Sequence, residues 1–287
     1  MQLPESINIH ITNVCNYKCK FCYYQKFDKK KWLETPVFIN ILKQLKYTPV
    51  KKINLAGGEP LLHPNINNLL QIMREMGFIS SIITNGSKLN TQWLNCNGNN
   101  IDLIGISCDS ALESLEKRVG RGNGKHVASV INVFKEIHKY NATHNNRIFT
   151  KLNTVVTQLN VHENMGALLQ FLRPDRWKIL QILKINGQNE KEFYQLRISE
   201  QEFNDFIEKH HWISKKGIVM VPESNELETN SYLMINHDGR LFQNNNGKYH
   251  TSSPIHKIGL KQAITQVVFS YSKYIERGGS YEIVARN

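Results

Sequence analysis

Three of the five cysteines crowd into eight residues, Cys15-Asn-Tyr-Lys-Cys19-Lys-Phe-Cys22, with the spacing CxxxCxxC. A disulfide inside so tight a cluster would cross-link little and leave an odd thiol, so thiols grouped this way point to metal. Zinc sites usually gather four ligands in two pairs, and the chain has no second cysteine pair. Three thiolates on one loop instead suit a four-iron cluster with one iron left open, and an open iron is a reactive site. Two plainer readings compete: a zinc knot completed by a histidine such as His10, and three thiols with no shared task. Cys96 and Cys108 stand apart and read as ordinary thiols, with Cys108 buried.

A second motif, Gly57-Gly58-Glu59-Pro60, also follows a β-like run. Without Cβ atoms its glycines let backbone approach a bound molecule closely, and Glu59 can accept protons from an amino group. As a bare tetrapeptide it is equally a turn. Its position at a strand end, like that of the cysteines, gives it weight.

The elements that must carry these motifs alternate. Short β-branched runs predict strands at 7–12, 52–55, 79–84, 101–107, 148–156 and 177–183. Apolar residues at helical spacing predict helices at 36–47 (Thr35 as N-cap before Pro36), 66–76 (closed by Gly77), 127–140 and 165–172. Asn85-Gly86-Ser87 reads as a turn. Six β-then-α units predict a parallel sheet whose function collects at the C-terminal strand ends. The predicted fold is therefore α/β, a partial (β/α)6 TIM barrel open on one side, spanning 1–190. Residues 191–287 form a C-terminal extension over the barrel mouth, within the same compact domain. A helix near 200–211 and strands near 218–221 and 232–235 belong to it. No linker, low-complexity tract or fixed-period repeat interrupts the chain.

Composition agrees with a globular protein: 287 residues, 40% hydrophobic and 21% charged. No apolar run reaches the roughly 18 residues that span a bilayer. No basic-then-apolar N-terminal segment suggests secretion. A cytoplasmic monomer is expected. Lys and Arg number 36 against 24 acidic residues, a formal charge of +12. That excess favours nucleic acid, nucleotide phosphates or acidic membrane surfaces without choosing among them, and part of it reflects a generally Lys- and Asn-rich composition.

With Phe21 as the aromatic residue, CxxxCxФC together with GGEP resembles the radical S-adenosylmethionine superfamily. The resemblance extends almost end to end to one family within it, the viperins. NIHIT, CNYKCKFC, KKINLAGGEP, TNGS, ISCDS, VGRGNGK, KLNTVV, RWKILQ, VPESN, SYL and RGGSYE carry it. The resemblance implies a [4Fe-4S] cluster on Cys15, Cys19 and Cys22. It implies S-adenosylmethionine held by Tyr17, Gly57, Gly58, Glu59, Asn85 and Ser107. It further implies that a 5′-deoxyadenosyl radical removes hydrogen from C4′ of a ribonucleoside triphosphate. The 3′-hydroxyl then leaves as water, giving the 3′-deoxy-3′,4′-didehydro analogue, a chain terminator in antiviral defence. A flavodoxin or ferredoxin is the implied electron donor. Tyr232 matches a family tyrosine proposed to protonate or reduce the sugar, although a tyrosine is more often a core residue with a satisfied hydroxyl. Asn8 is expected to reach the nucleoside; Arg277 and, through a gapped alignment, Lys248 are expected to contact phosphate.

A triphosphate needs several converging cations. Strand ends on the expected active face supply Lys52, Lys151 and Lys178, and the loop Gly120-Arg121-Gly122-Asn123-Gly124 supplies Arg121. Lys151 and Asn153 alternate and so share a strand face, and Arg176 and Lys178 repeat that spacing. Facing inward, such lysines demand an anion; facing outward, they are solvated.

The chain also departs from the family. Ala56 stands where many viperins have Ser, and Asn13 replaces an Arg common before the first cysteine. The amphipathic helix and tryptophan tail of animal members are absent, so neither a membrane anchor nor a tail-reading assembly factor is expected. The base is expected to be read by 184–192 or by the amide-rich 242–253. By family analogy it is a pyrimidine, CTP before UTP, with no stable nucleic-acid partner. The alternatives are a radical enzyme acting on RNA or a peptide, and a non-catalytic metal-stabilised nucleic-acid-binding protein.

Overall fold

Alternation along each strand gives the sheet two unlike faces. In the computed structural model, which describes residues 2–280, strand β1 (Ser6–Thr12) buries Ile7, Ile9 and Ile11 on one side. It turns Ser6 and Asn8 to the other. Strands β2 (Lys52–Gly57), β3 (Ile79–Thr84), β4 (Leu103–Ser107), β5 (Phe149–Val156), β6 (Arg176–Gln181) and β7 (Val219–Glu223) follow. Each is parallel to its predecessor, and spatial order equals chain order. A sheet that always adds strands at the same edge curls toward a barrel. On the other side of β1, β8 (Met234–Ile235) pairs in parallel. The hairpin of β9 (Arg240–Asn245) and β10 (Lys248–Pro254) then extends the sheet antiparallel. Among the described residues β7 and β10 do not pair, so the partial barrel is open as expected.

Helices α1 (Thr35–Leu45), α2 (Ile66–Glu75), α3 (Thr91–Asn97), α4 (Glu113–Arg118), α5 (His126–Thr143), α6 (Gly166–Leu172), α7 (Glu190–Leu196) and α8 (Glu200–His210) lie in the crossovers. In α1, Phe38, Ile41, Leu42 and Leu45 fall on one face and join the outward strand residues in a single core. Each fully buried side chain of this size contributes about 2 kcal/mol. Their sum offsets the cost of a polar barrel interior.

Several local expectations change. Thr35 is not the N-cap of α1: Glu34 holds that position without a side-chain bond, and Thr35 opens the helix. A seventh parallel strand, β7, joins the six expected. It is an edge strand with Val219 53% exposed, so it lacks the two-sided apolar signature of the interior strands. The amide-rich stretch after Phe242 forms a hairpin turning at Asn246 and Gly247, both with positive φ (51° and 76°). The Asn-Gly dipeptide was the sign of that turn. The tail 281–287, including the end of the RGGSYE stretch, lies outside the described residues.

The cysteine loop leaves β1 clasped between two glycine-bearing loops. A Cβ added to Gly57 would lie 2.1 Å from the Thr12 carbonyl oxygen, and one added to Gly58 2.3 Å from that of Val14. Glu59 N–H donates to the Val14 carbonyl at 2.7 Å. From the other side, a Cβ on Gly120 would lie 2.2 Å from the Lys18 carbonyl oxygen. These glycines therefore make room for protein backbone, where the sequence suggested room for a ligand. Gly58→Ala is expected to cost the metal-free protein about 2–3 kcal/mol, or about 5–10 °C in Tm. Gly77→Ala, with φ +80° but nothing within 4 Å of the added carbon, should cost about 1 kcal/mol. Equal losses in thermal unfolding would contradict the clasp.

Candidate active site

All ten strands contribute to one cavity inside the barrel. Strand alternation puts Ser6 and Asn8, Lys52 and Asn54, Lys151 and Asn153, and Arg176 and Lys178 on its wall. Its two ends differ in chemistry.

At the C-terminal strand ends lie Cys15, Cys19 and Cys22, all free, with Cys15 the most open. Backbone N–H groups of Tyr17 and Tyr24 donate to the Cys15 and Cys22 sulfurs at 3.4 Å each. Burial pushes the Cys19 thiol up, with Arg121 opposing, and brings Cys22 to about 11. As thiolates the three therefore call for added positive charge at the site. Among the described residues, the one group drawn tightly enough to chelate a single ion is Cys108, Glu116 and His126. The three loop sulfurs are spread wider, which fits a multi-iron cluster better than a lone zinc. His10 does not join them: it is wholly buried against Tyr24 and Phe242, ring centroids 4.3 and 5.0 Å away, with both ring nitrogens unpartnered. Glu116 is already engaged, accepting from the Asp109 and Ser110 N–H groups at 2.6 and 2.8 Å.

Tyr17, Gly57, Gly58, Asn85 and Ser107 line this end. His126 ties two of them together, between the Ser107 carbonyl (2.8 Å) and the Tyr17 hydroxyl (3.4 Å). Glu59 does not line the cavity. It lies beneath it, accepting from Leu61 N–H, Thr84 hydroxyl (2.6 Å) and Asn85 N–H (2.7 Å), and so fixes the TNGS turn. Arg121 also belongs here: it pairs with Asp109 at 2.6 Å and Glu116 at 3.5 Å, and its charge acts on all three cysteines.

The other end gathers Lys52, Lys151, Arg176, Lys178 and Arg277. Lys52 and Arg176 open β2 and β6, so these cations sit toward the N-terminal ends of the strands, not at the C-terminal ends where the sequence placed them. Like charges stand side by side, with Lys151 opposite Arg176 in the ladder, an arrangement that costs stability unless a ligand uses it. Burial, then Arg176, Arg277 and Lys178, lower Lys52 to about 7. Burial and the neighbouring cations push Lys151 far below its ordinary range. Glu223 is the ionised counter-charge, 2.8 Å from Lys178 and 3.4 Å from Arg277; burial opposes its charge, but these two cations overcome it. Glu228 is driven up by burial and by Glu223. Tyr232 donates its hydroxyl to Glu223 and accepts from Lys178, and the Arg277 guanidinium lies 3.6 Å from its ring centroid. Burial raises its phenol, which stays protonated.

Between the ends lie Asn8, Asn54 and Asn153. Asn54 donates to Ser6 and Asn8 at 2.9 Å each, leaving its own Oδ1 and that of Asn153 buried without a donor. The sequence reading missed Asn54 and Glu223, although the two-residue step from Lys52 to Asn54 was the same signal that marked Lys151 and Asn153. Lys248 opens β10, is exposed, and does not line the cavity.

Residues 9–172 match the model of the Radical SAM superfamily. The chain is 34% identical over 286 residues to the S-adenosylmethionine-dependent nucleotide dehydratase of Flammeovirga pacifica, covering 96% of this chain and 95% of that protein. It is 32% identical to a like-named protein of Lacinutrix mariniflava, of which it spans 58%. To the dehydratase RSAD2 of Oncorhynchus mykiss it is 33% identical, over 97% of this chain and 80% of that one. In fold it is similar to Streptococcus suis SuiB bound to S-adenosylmethionine, with a TM-score of 0.66, 16% identity, and 84% of this chain and 60% of that chain covered. It is also similar to anSMEcpe with bound AdoMet and a peptide, with a TM-score of 0.68, 14% identity, and 95% and 82% covered.

An anion at the cationic end would restore Lys52 toward its ordinary 10.5, so binding takes up a proton above pH 7. The affinity for inorganic tripolyphosphate, corrected for its own titration, is expected to be greatest below pH 7 and to fall as pH rises toward 10. Calorimetry in buffers of different ionisation enthalpy reads the uptake directly. Lys52→Met should reduce the uptake, leaving the share that Lys151 contributes, and weaken binding at least about tenfold. Proton release, or none, would contradict the assignment.

Proposed function

This chain belongs to the radical S-adenosylmethionine superfamily and, within it, to the S-adenosylmethionine-dependent nucleotide dehydratases; from that we propose that it converts a ribonucleoside triphosphate into its 3′-deoxy-3′,4′-didehydro analogue. The observation that carries this reading is one cavity with three cysteines at one end and five cations, four of them buried, at the other. Cys15, Cys19 and Cys22 hold a [4Fe-4S] cluster; Tyr17, Gly57, Gly58, Asn85, Ser107 and Arg121 border S-adenosylmethionine, with Glu59 bracing them from below. Bound there and reduced, a cluster would supply the electron that turns S-adenosylmethionine into the radical taking hydrogen from C4′.

Lys52, Lys151, Arg176, Lys178 and Arg277 bind the triphosphate. The open acceptors of Asn54 and Asn153 take hydrogen bonds from ribose hydroxyls, and Asn54 orients Asn8. Together they aim the sugar at the cysteine end, where a misplacement of about 1 Å costs roughly a hundredfold in rate. Tyr232 holds a proton on its hydroxyl between Lys178 and Glu223, available as the 3′-hydroxyl leaves as water. Family analogy supports a pyrimidine, CTP before UTP; Asn244 can meet the base edge, since it lines the wall and Gly247 N–H holds its Oδ1 at 2.8 Å, leaving its N–H donors to an acceptor on the base. The final electron comes from a flavodoxin or ferredoxin, and the enzyme works as a monomer in the cytoplasm. No helix among the described residues is long and apolar enough to cross a membrane.

The test is anaerobic: reconstituted protein, S-adenosylmethionine, a reductant and each NTP in turn. CTP is expected to accelerate 5′-deoxyadenosine formation most and to yield the didehydro product; acceleration by no NTP would overturn the reading. Lys151→Ala should lower kcat/KM by about a hundredfold or more, since it removes a buried charged contact. Tyr232→Phe should lower kcat and leave the nucleotide Kd within about twofold, because the ring and its Arg277 contact remain.

A further inference from the structure

The cations inside the barrel leave most of the +12 formal charge unplaced, and much of the rest lies on the cysteine loop itself. We propose that this exposed basic belt is the docking face for an acidic one-electron carrier protein, an inference that rests on the iron–sulfur reading of the loop. Between Cys15 and Trp32 the chain carries six lysines against one acid, Asp28. Lys18, Lys20, Lys26, Lys29 and Lys30 are all exposed, and among the described residues none of them forms an ion pair. Lys31 alone is neutralised, by Asp238 at 2.9 Å. The clasp on the loop widens the belt: Lys20 N–H bonds the Val119 carbonyl at 2.8 Å, which brings the exposed end of α4 with Lys117 and Arg118 alongside.

Apolar anchors sit within this charge. Tyr23, Phe27 and Trp32 are 37–41% exposed, a composition of aromatic contacts inside a charged rim that suits a protein interface. Phe27 packs on Tyr24 with ring centroids 4.6 Å apart, and Tyr24 N–H bonds the Cys22 sulfur. Tyr24 alone thus stands between Phe27 of the patch and the Cys22 sulfur. The sign of the belt selects an acidic partner, and its place over the cysteines selects one that delivers electrons. One electron passes from the reduced carrier to the cluster, no bond forms or breaks, and the carrier is left oxidised by one electron.

Lys26, Lys29 and Lys30 touch no part of the cavity, so Lys26→Glu, Lys29→Glu and Lys30→Glu together isolate the belt. The probe is a reduced flavodoxin, and the readouts are bleaching of cluster absorbance near 400 nm in the reconstituted full chain and flavodoxin Kd for both metal-free and reconstituted protein. At low ionic strength the variant is expected to be reduced at least about tenfold more slowly, with a correspondingly weaker Kd, and to lose the salt dependence of the parent. Reduction by photoreduced deazaflavin, a small uncharged reductant, should be unchanged. Equal rates with flavodoxin, or slowing by both reductants alike, would overturn the proposal. So would loss of tRNA binding with flavodoxin reduction intact, which would give the belt to RNA. Bleaching needs no nucleotide, so failure of NTP turnover with these effects present would count against the dehydration reading alone.

Discussion

Like charges crowded together inside the barrel, most of them buried, are the constraint around which the described residues are arranged. Among the described residues, Lys52, Lys151, Arg176, Lys178 and Arg277 share the cavity with one carboxylate that these cations hold ionised, Glu223. At an effective dielectric near 20, like charges about 5 Å apart cost on the order of 3 kcal/mol per pair. The ligand-free protein relieves part of that cost by holding Lys52 and Lys151 below their ordinary range. On the proposed reading a triphosphate relieves the rest, and the repulsion among the cations becomes affinity for a polyanion. The outward faces of the strands and the helices over them supply the apolar burial that keeps such an interior folded.

Distance between the two ends of the cavity follows from strand geometry. The cysteine loop leaves the end of β1, while Lys52 and Arg176 open their strands, so a strand's length separates the three thiols from the cations. On the proposed reading, a nucleotide fills that length with its sugar in the middle, among Asn8, Asn54 and Asn153. The loop must then hold its place at the top, and here Gly57, Gly58 and Gly120 act by having no side chain. Glu59, Asn85 and His126 extend the same bracing through hydrogen bonds beneath the loop.

Much of this was legible in the sequence, because period-two alternation and motif spacing survive folding. Lys151 with Asn153 and Arg176 with Lys178 did share an inward face, and the parallel order of the first six strands followed from their connections. What the sequence hid depends on three-dimensional neighbours. Nothing in GRG tells whether Arg121 meets a phosphate or the carboxylates of Asp109 and Glu116. Glu59 looked like a ligand contact because a strand-end carboxylate is chemically suited to an amine; burial gave it backbone donors instead. Lys248 rested on an alignment across gaps, and the hairpin places it on the surface. Lys52 opens the strand expected at 52–55, so its N-terminal place was already legible there, and setting it on the C-terminal face went against that boundary.

The central claim is that the cationic end anchors the triphosphate so that C4′ of the ribose faces the cysteine end. Deuterium at C4′ reports that arrangement directly. With reconstituted protein, S-adenosylmethionine, a reductant and 4′-deuterated CTP, mass spectrometry of the 5′-deoxyadenosine formed should show one deuterium per molecule. CTP deuterated only at C2′ or C3′ should transfer none. Unlabelled 5′-deoxyadenosine from the 4′ substrate, or label arriving from another ribose carbon, would contradict the account.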